Sequence, residues 1–259
     1  MIGIFDSGLG GLTAYKALHA LLPHENFVYF GDTGRLPYGS RSREILTRYA
    51  RQDVNFLISK GVDAILAACG TISSVVLDNI KNEYNIPITG VVDASVEEAL
   101  GATKNEIVGV IGTGATISSG AFEKKLLDAD PNVRVISAAC PLFVPLVENG
   151  YIDQNCTVTK LVAADYLEKI RKSGADTLIL GCTHFPIISG ILADYLPGVT
   201  LVSSGSAAAR ALARQISPRR AGGISQFYVS DSPVNFDELA RVFLDGETVS
   251  AKRVDIEEY

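Results

Sequence analysis

Histidine is scarce in this chain, and no two cysteines form a CxxC pair. The three histidines, His19, His24 and His184, are too few and too scattered to close a zinc site with the cysteines. A dithiol redox centre normally needs the close pair that is missing. Cysteine is also sparse, four in 259 residues, and nothing ahead of the first reads as a secretion signal, which argues against a disulfide framework. No apolar run approaches the ~20 residues of a spanning helix. Positive charge is in deficit, 23 Lys and Arg against 29 Asp and Glu, so no basic footprint points to nucleic acid or an anionic membrane. The chain opens in a strand-like run at Ile2 with no charged leader, and the expected compartment is the cytoplasm. What is present, 47% apolar and 20% charged residues, is ordinary globular composition for one or two domains with a sizeable core.

The chain repeats itself around a cysteine. GVDAILAACGT, residues 61–71, and GADTLILGCTH, residues 174–184, align on Cys69 and Cys182, with Gly61 on Gly174 and Asp63 on Asp176. Each copy reads as a glycine turn, a short buried strand and a small-residue tip that leads into a helix. A second echo precedes each copy: IGIFDSG from Ile2 and VGVIGTG from Val108, with Gly3 lying 66 residues before Cys69 and Gly109 lying 73 before Cys182. Strands alternate with helical patterns throughout, which predicts parallel α/β sheets with ligands at the strand C-terminal ends. The expectation is an α/β protein of two pseudo-symmetric domains with mainly parallel sheets and an active site in the cleft between them. Residues 1–93 plus 204–259 form the first domain, and 94–203 the second.

Several elements carry that expectation. A helix from Ala14 follows the glycine-rich turn after Asp6. Ser40 to Arg43 opens a long amphipathic helix with Ile45, Tyr49, Val54, Leu57 and Ile58 on its apolar side, Ser40 serving as cap. Further helices are expected over 72–84, from the end of the 112–116 glycine turn through Leu127 and over 187–196, and a strand over 88–92. Pro218 to Gly223 reads as a basic loop with a solvated Arg219-Arg220 pair.

Cys140 and Cys156 read as small buried hydrophobes. Cys69 and Cys182 sit instead at strand-to-helix tips, where a helix dipole and free N–H groups lower a thiol pKa. His184, two residues past Cys182, can hold a proton near neutral pH. Asp6, at a strand end of the other half beside an anion-friendly turn, is the matching group for Cys69. Ser7, Thr71, Thr113 and Thr183 add hydroxyl donors, and Pro37-Tyr38-Gly39-Ser40 adds hydroxyls and backbone donors near the same ends. Two facing thiols suit inversion of a stereocentre: one takes a proton from a carbon while the other delivers one to the opposite face.

FDSGLGGLT, YFGDTGRLPYGSRS, AACGT, CPLFVPLVENG and LGCTHFP occur here in one order. In that order the chain resembles the cofactor-independent glutamate racemases of the aspartate/glutamate racemase superfamily, over residues 2–202 and more weakly to the end. The resemblance implies Cys69 and Cys182 as acid–base residues acting on D- and L-glutamate respectively, supported by Asp6 and His184. It implies substrate contacts at Asp6, Ser7, Tyr38, Gly39, Thr71, Thr183 and His184, with Glu148 and Thr116 near the site. It also implies no pyridoxal phosphate and no metal, a D-glutamate product that feeds peptidoglycan synthesis, and a possible homodimer. Two departures stand out. Gly70 replaces the usual asparagine, leaving a main-chain N–H without the amide, and Gly34 replaces a commoner alanine. Racemisation of aspartate or another acidic amino acid, and a non-catalytic acidic-ligand-binding protein on the same fold, are the competing readings.

Overall fold

A computed structural model describes residues 1–217 and 222–259, apart from the side chain of Asn235. The Arg219-Arg220 pair lies outside the described residues. Two sheets are built in turn. The first unit is β1 (Ile2–Asp6), α1 (Leu12–Leu21), β2 (Phe27–Gly31), α2 (Arg43–Ser59), β3 (Ala64–Ala67), α3 (Gly70–Val75), α4 (Leu77–Ile80), β4 (Ile88–Gly90) and α5 (Val91–Ala102). The second is β5 (Ile107–Gly112), α6 (Gly114–Ser118), α7 (Ala121–Ala129), β6 (Arg134–Ala139), α8 (Phe143–Glu148), α9 (Thr157–Ser173), β7 (Thr177–Leu180), α10 (Ser189–Tyr195), β8 (Thr200–Ser203) and α11 (Ser204–Gln215). The chain then adds β9 (Ser225–Val229), α12 (Pro233–Phe243) and β10 (Ala251–Arg253).

One sheet runs β10-β9-β2-β1-β3-β4 and the other β6-β5-β7-β8. Every strand pair is parallel. The shared order β2-β1-β3-β4 and β6-β5-β7-β8 is the sequence repeat made visible. Its register matches too: Gly3 pairs with Ile65, four residues before Cys69, and Gly109 with Leu178, four residues before Cys182. Both cysteines therefore leave the C-terminal edge of the strand next to the glycine-bearing central strand, where order reverses and ligands bind in open α/β sheets. The strands are buried on both faces, which is why they read as unbroken apolar runs.

The repeated glycines before each cysteine strand have one job. Gly61 has φ +78° and Gly174 φ +76°, a left-handed turn that releases the preceding helix into the strand. Nothing crowds a Cβ at Gly174, so backbone conformation alone selects glycine there. Gly174→Ala is expected to lose about 1–2 kcal/mol of stability, read as a lower urea midpoint with unchanged slope. An unshifted midpoint would reject that account of the turn.

The chain crosses between the sheets along α5 and returns along α11, and these two helices pack side by side. Arg210 clasps Glu98 at 2.6 Å on their exposed rim.

Local details differ from expectation for identifiable reasons. The helix after the first cysteine is broken into α3, α4 and a final 3-10 turn at Lys81–Glu83. Ser73 spends its hydroxyl on the Ala67 carbonyl, and its Oγ accepts from Val91 N–H. The stretch through Leu127 breaks into α6 and α7 at Gly120, φ +66°. The expected helix over 187–196 is a 3-10 turn, Phe185–Ile188, followed by α10. Strand β4 stops at Gly90, and Val91 already begins α5. Ser42, not Ser40, caps α2, accepting from Ile45 N–H at 3.4 Å. Its core face is Leu46, Tyr49, Ala50, Val54, Phe56 and Leu57, while Ile45 and Ile58 face outward. Strand β10 was not anticipated: Ala-Lys-Arg has no apolar alternation, and two of its three residues are exposed on a sheet edge.

Candidate active site

The first tip is built from β1, β3 and the turn between β1 and α1. Asp6 ends β1 almost wholly buried. Its Oδ2 accepts the Gly8 N–H at 3.0 Å, and a Cβ at Gly11 would come within 2.5 Å of the Asp6 Cβ, so the turn closes tightly over the acid. Asp6 Oδ1 is buried with no hydrogen-bond partner among the described residues. Burial raises the Asp6 pKa, offset in part by the charge of His184 and by N–H groups of Gly8, Gly11 and Ser7. Tyr29 braces the turn from behind by donating to the Gly8 carbonyl at 2.7 Å.

Cys69 is the residue before α3, as the repeat predicts. Its pKa moves the opposite way from the helix-terminus argument. Burial pushes the thiol up to about 12, and the Asp6 carboxylate pushes the same way, against weaker pulls from Ile72 and Ser7. Desolvation of a fully enclosed sulfur outweighs the dipole of a six-residue helix. In the unliganded state Cys69 is a neutral thiol.

The second tip is built differently. No α-helix begins at Cys182; the 3-10 turn Phe185–Ile188 follows, and α10 starts only at Ser189. A histidine takes the place of the helix terminus. His184 Nδ1 lies 3.9 Å from Cys182 Sγ, and its Nε2 lies 3.0 Å from Glu148 Oε1 at the end of α8. Burial pulls the His184 pKa down, but the bonds to Cys182 and Glu148 outweigh it and raise the value to about 10. The Phe243 ring stands edge-on to the imidazole at 5.4 Å. Cys182, His184 and Glu148 thus lie in one line of contact.

The two tips abut. A Cβ on Gly70 would overlap the Gly181 carbonyl oxygen and lie 3.8 Å from the Cys182 Cα. Thr13 on α1 donates its hydroxyl to the Thr183 carbonyl at 3.2 Å. Thr71 and Thr113 hydroxyls meet at 3.1 Å across the two halves, and Thr113 meets Thr116 at 3.0 Å. Gly39 packs on Thr113, where an added Cβ would sit 3.3 Å from the Thr113 Cβ.

Of the expected residues, Asp6, Ser7, Gly39, Cys69, Gly70, Thr71, Thr116, Glu148, Cys182, Thr183 and His184 lie in this cluster or in direct contact with it. The Tyr38 hydroxyl does not. It is buried in a polar knot, donating to Asp32 and, at 3.2 Å, to Asp53, with Arg35 bridging both acids. Only the backbone of Tyr38 is left for a ligand. Pro37 and Ser40 are exposed. Residues that sequence reasoning passed over include Gly10, Thr13, Tyr29 and Phe243. Gly10 and Thr13 stand inside the quoted FDSGLGGLT stretch, so a signal existed; Phe243 arrives from far along the chain with none. Among the described residues no cluster of three or more His, Cys, Asp or Glu is placed to hold a metal ion, and no helix is long and apolar enough to cross a membrane.

Proteins similar to this chain in sequence and fold include several glutamate racemases. The family model described as Asp/Glu/Hydantoin racemase matches residues 18–212. A glutamate racemase of Aquifex aeolicus is 43% identical over 251 residues, 97% of this chain and 96% of that one. The crystal structure of a Francisella tularensis glutamate racemase in complex with D-glutamate superimposes with a TM-score of 0.90 at 37% identity, covering 100% of this chain and 98% of the other. A Thermus thermophilus glutamate racemase, solved with β-chloro-D-alanine, gives a TM-score of 0.88 at 40% identity, covering 100% and 98%.

Proposed function

The chain belongs to the Asp/Glu/hydantoin racemase family, and from that premise we infer that it is a glutamate racemase, an isomerase interconverting L- and D-glutamate. The observation that carries this reading is the abutment of two cysteine tips, one from each sheet. Inversion needs a proton removed from one face of Cα and another supplied to the opposite face. Cys182 takes the proton of L-glutamate: the C–H bond breaks, an S–H bond forms, and the electron pair stays on the substrate as an enolate-like carbanion. Cys69 then breaks its S–H bond and protonates the other face, giving D-glutamate. The reverse direction exchanges the roles.

The electrostatics support the division. Cys69 starts as a neutral thiol, ready to donate. To act as the base on D-glutamate it must lose its proton. A substrate ammonium placed on Asp6 offsets the carboxylate charge that holds that proton on. Asp6 Oδ1, buried and unpartnered among the described residues, is a fitting acceptor. On the other side the His184 imidazolium, held by Glu148, stands against Cys182 Sγ and stabilises the negative charge that the sulfur carries as base. Ser7, Thr71, Thr116 and Thr183 hydroxyls and the backbone of residues 38–39 and 70 hold the carboxylates and stabilise the carbanion. The reading divides the chain into 1–93 plus 204–259 and 94–203, and the presence of two sheets joined through α5 and α11 supports it. The same reading includes a cytoplasmic homodimer whose D-glutamate feeds peptidoglycan synthesis.

The test is incubation of the reduced protein with L-glutamate in deuterium oxide, without added cofactor. Optical rotation and the Cα proton signal are expected to decay together. Persistence of both in folded, reduced protein would sink the glutamate reading.

A further inference from the structure

We propose that Tyr29 is a positioning residue for Asp6: its hydroxyl fixes the turn that aims the free carboxylate oxygen of Asp6 at the substrate. The proposal rests on the racemase reading above. The geometry is a chain of two hydrogen bonds through one residue. Tyr29 donates to the Gly8 carbonyl at 2.7 Å, and the Gly8 N–H donates to Asp6 Oδ2 at 3.0 Å. The Asp6 main chain is held separately by the β1–β2 ladder, where Asp6 pairs with Gly31 and its carbonyl accepts the Asp32 N–H at 3.0 Å. What the ladder leaves free is the side-chain torsion. Gly8 fixes it by occupying Oδ2, which leaves Oδ1 buried and unpartnered among the described residues.

The contact between Tyr29 and Gly8 is enclosed. A Cβ on Gly31 would come within 2.5 Å of the Gly8 carbonyl oxygen, and a Cβ on Gly11 within 2.9 Å of the Tyr29 hydroxyl. The Tyr29 ring is fully buried and packs on Phe227 and Phe236, so its hydroxyl is delivered from a fixed place. A buried carbonyl deprived of its donor is costly, and the turn must shift to find another partner. The phenol also stays neutral. Burial, then the charges of Asp6 and Cys69, hold its proton on well above the usual tyrosine range. Tyr29→Phe therefore removes a hydrogen bond from the turn while leaving unchanged the charges of Asp6, Cys69, His184 and Asp53, which are coupled to one another through Asp6.

Loosening the turn has a signature that a general loss of folding lacks. Asp6 serves the Cys69 side, because a substrate ammonium on Oδ1 offsets the charge that keeps the Cys69 proton on. Ser7, in the same turn, also lowers the Cys69 value through its hydroxyl and its N–H. With the turn displaced, Cys69 becomes a poorer base toward D-glutamate. Cys182 lies on the other sheet beside His184 and Glu148 and keeps its own partners. From L-glutamate, Cys182 still removes the Cα proton, but delivery by Cys69 slows. The proton on Cys182 then exchanges with solvent, and deuterium returns to the face it left.

The experiment compares the full chain with Tyr29→Phe and, as a control, Tyr15→Phe, a buried ring whose hydroxyl contact is to Ser225 Oγ at 2.9 Å. Phenylalanine keeps the ring and its packing in both. Two quantities are read: exchange of the Cα proton of each pure enantiomer in deuterium oxide, and the titration of the Asp6 carboxyl carbon by NMR in aspartate-labelled protein. In Tyr29→Phe, exchange of D-glutamate is expected to fall about tenfold while exchange of L-glutamate stays within about twofold, with deuterated L-glutamate accumulating. Asp6 should titrate at higher pH than in the parent, because a carboxylate that loses an N–H partner is harder to ionise. Tyr15→Phe should match the parent in both. Equal loss of the two exchange rates, or rates unchanged from the parent, overturns the inference, since a structural defect alone does not separate the two faces. An unmoved Asp6 titration overturns it whatever the rates do. If the parent chain exchanges neither enantiomer, the functional reading fails by itself, and the titration decides the geometry: a displaced Asp6 curve in Tyr29→Phe upholds the positioning of the carboxylate, and superimposable curves reject it.

Discussion

Cys69→Ser and Cys182→Ser are each expected to lower racemisation by about 10³-fold or more while leaving the fold intact. Serine keeps nearly the same volume at two buried positions, so little packing is lost. A hydroxyl is a far weaker acid than a thiol, so neither proton removal nor proton delivery is served at neutral pH. The two variants should fail differently. Cys69→Ser keeps the group on the L side and should still exchange the Cα proton of L-glutamate with solvent, without inversion. Cys182→Ser should do the same only with D-glutamate. Proton NMR of each pure enantiomer in deuterium oxide reads both halves separately. Full activity in either variant would refute the two-thiol mechanism, and exchange of both enantiomers by one variant would refute the assignment of faces. Because L- and D-glutamate have equal free energy in water, kcat/KM must fall by the same factor in both directions for any single variant, which provides an internal check on the kinetics.

The repeat around Cys69 and Cys182 was legible because it is written in local terms: a glycine that must turn, an apolar run of strand length, a small tip. Those features recur at equal offsets, and the matching registers of Gly3 with Ile65 and Gly109 with Leu178 follow from them. What the sequence conceals is three-dimensional. The rise of the Cys69 pKa comes from enclosure on every side and from Asp6, 63 positions away in the chain. The cysteines look equivalent in the alignment, yet one stands at a helix start and the other beside a histidine–glutamate pair, because residues 185–188 fold as a 3-10 turn with Pro186 near its start. Tyr38 looked like a hydroxyl donor to a ligand. Its partners, Asp32 and Asp53, become visible only once α2 folds back over β2. Gly70 read as a lost amide, and the Gly181 carbonyl beside it becomes visible only in the fold.

Glu148→Gln tests the His184–Glu148 pair through pH. The His184 pKa stands raised from 6.5 to about 10, with Glu148 contributing both a hydrogen bond and its charge. A group whose folded value lies above its unfolded value stabilises the fold fully below the unfolded value, and that contribution is lost as pH rises through the folded one. The protein should therefore lose stability progressively between neutral pH and about pH 10. Cys69, raised from 9.0 to about 12, adds a loss of the same sign at the upper end. Removing the Glu148 charge lowers the folded His184 value, so the decline, whose onset the unfolded value sets, should be smaller and end at lower pH. The alkaline limb of L-glutamate turnover should move with it, since an unprotonated imidazole no longer supports Cys182. Glu168→Gln, which alters a pair with Arg171 on the surface of α9, is the control. Urea midpoints across the pH range, read beside initial rates, check both expectations together. Parallel stability curves for the parent and Glu148→Gln would show that Glu148 does not hold the imidazolium. A shifted stability curve with an unmoved rate profile would confine the pair to folding and remove His184 from proton transfer.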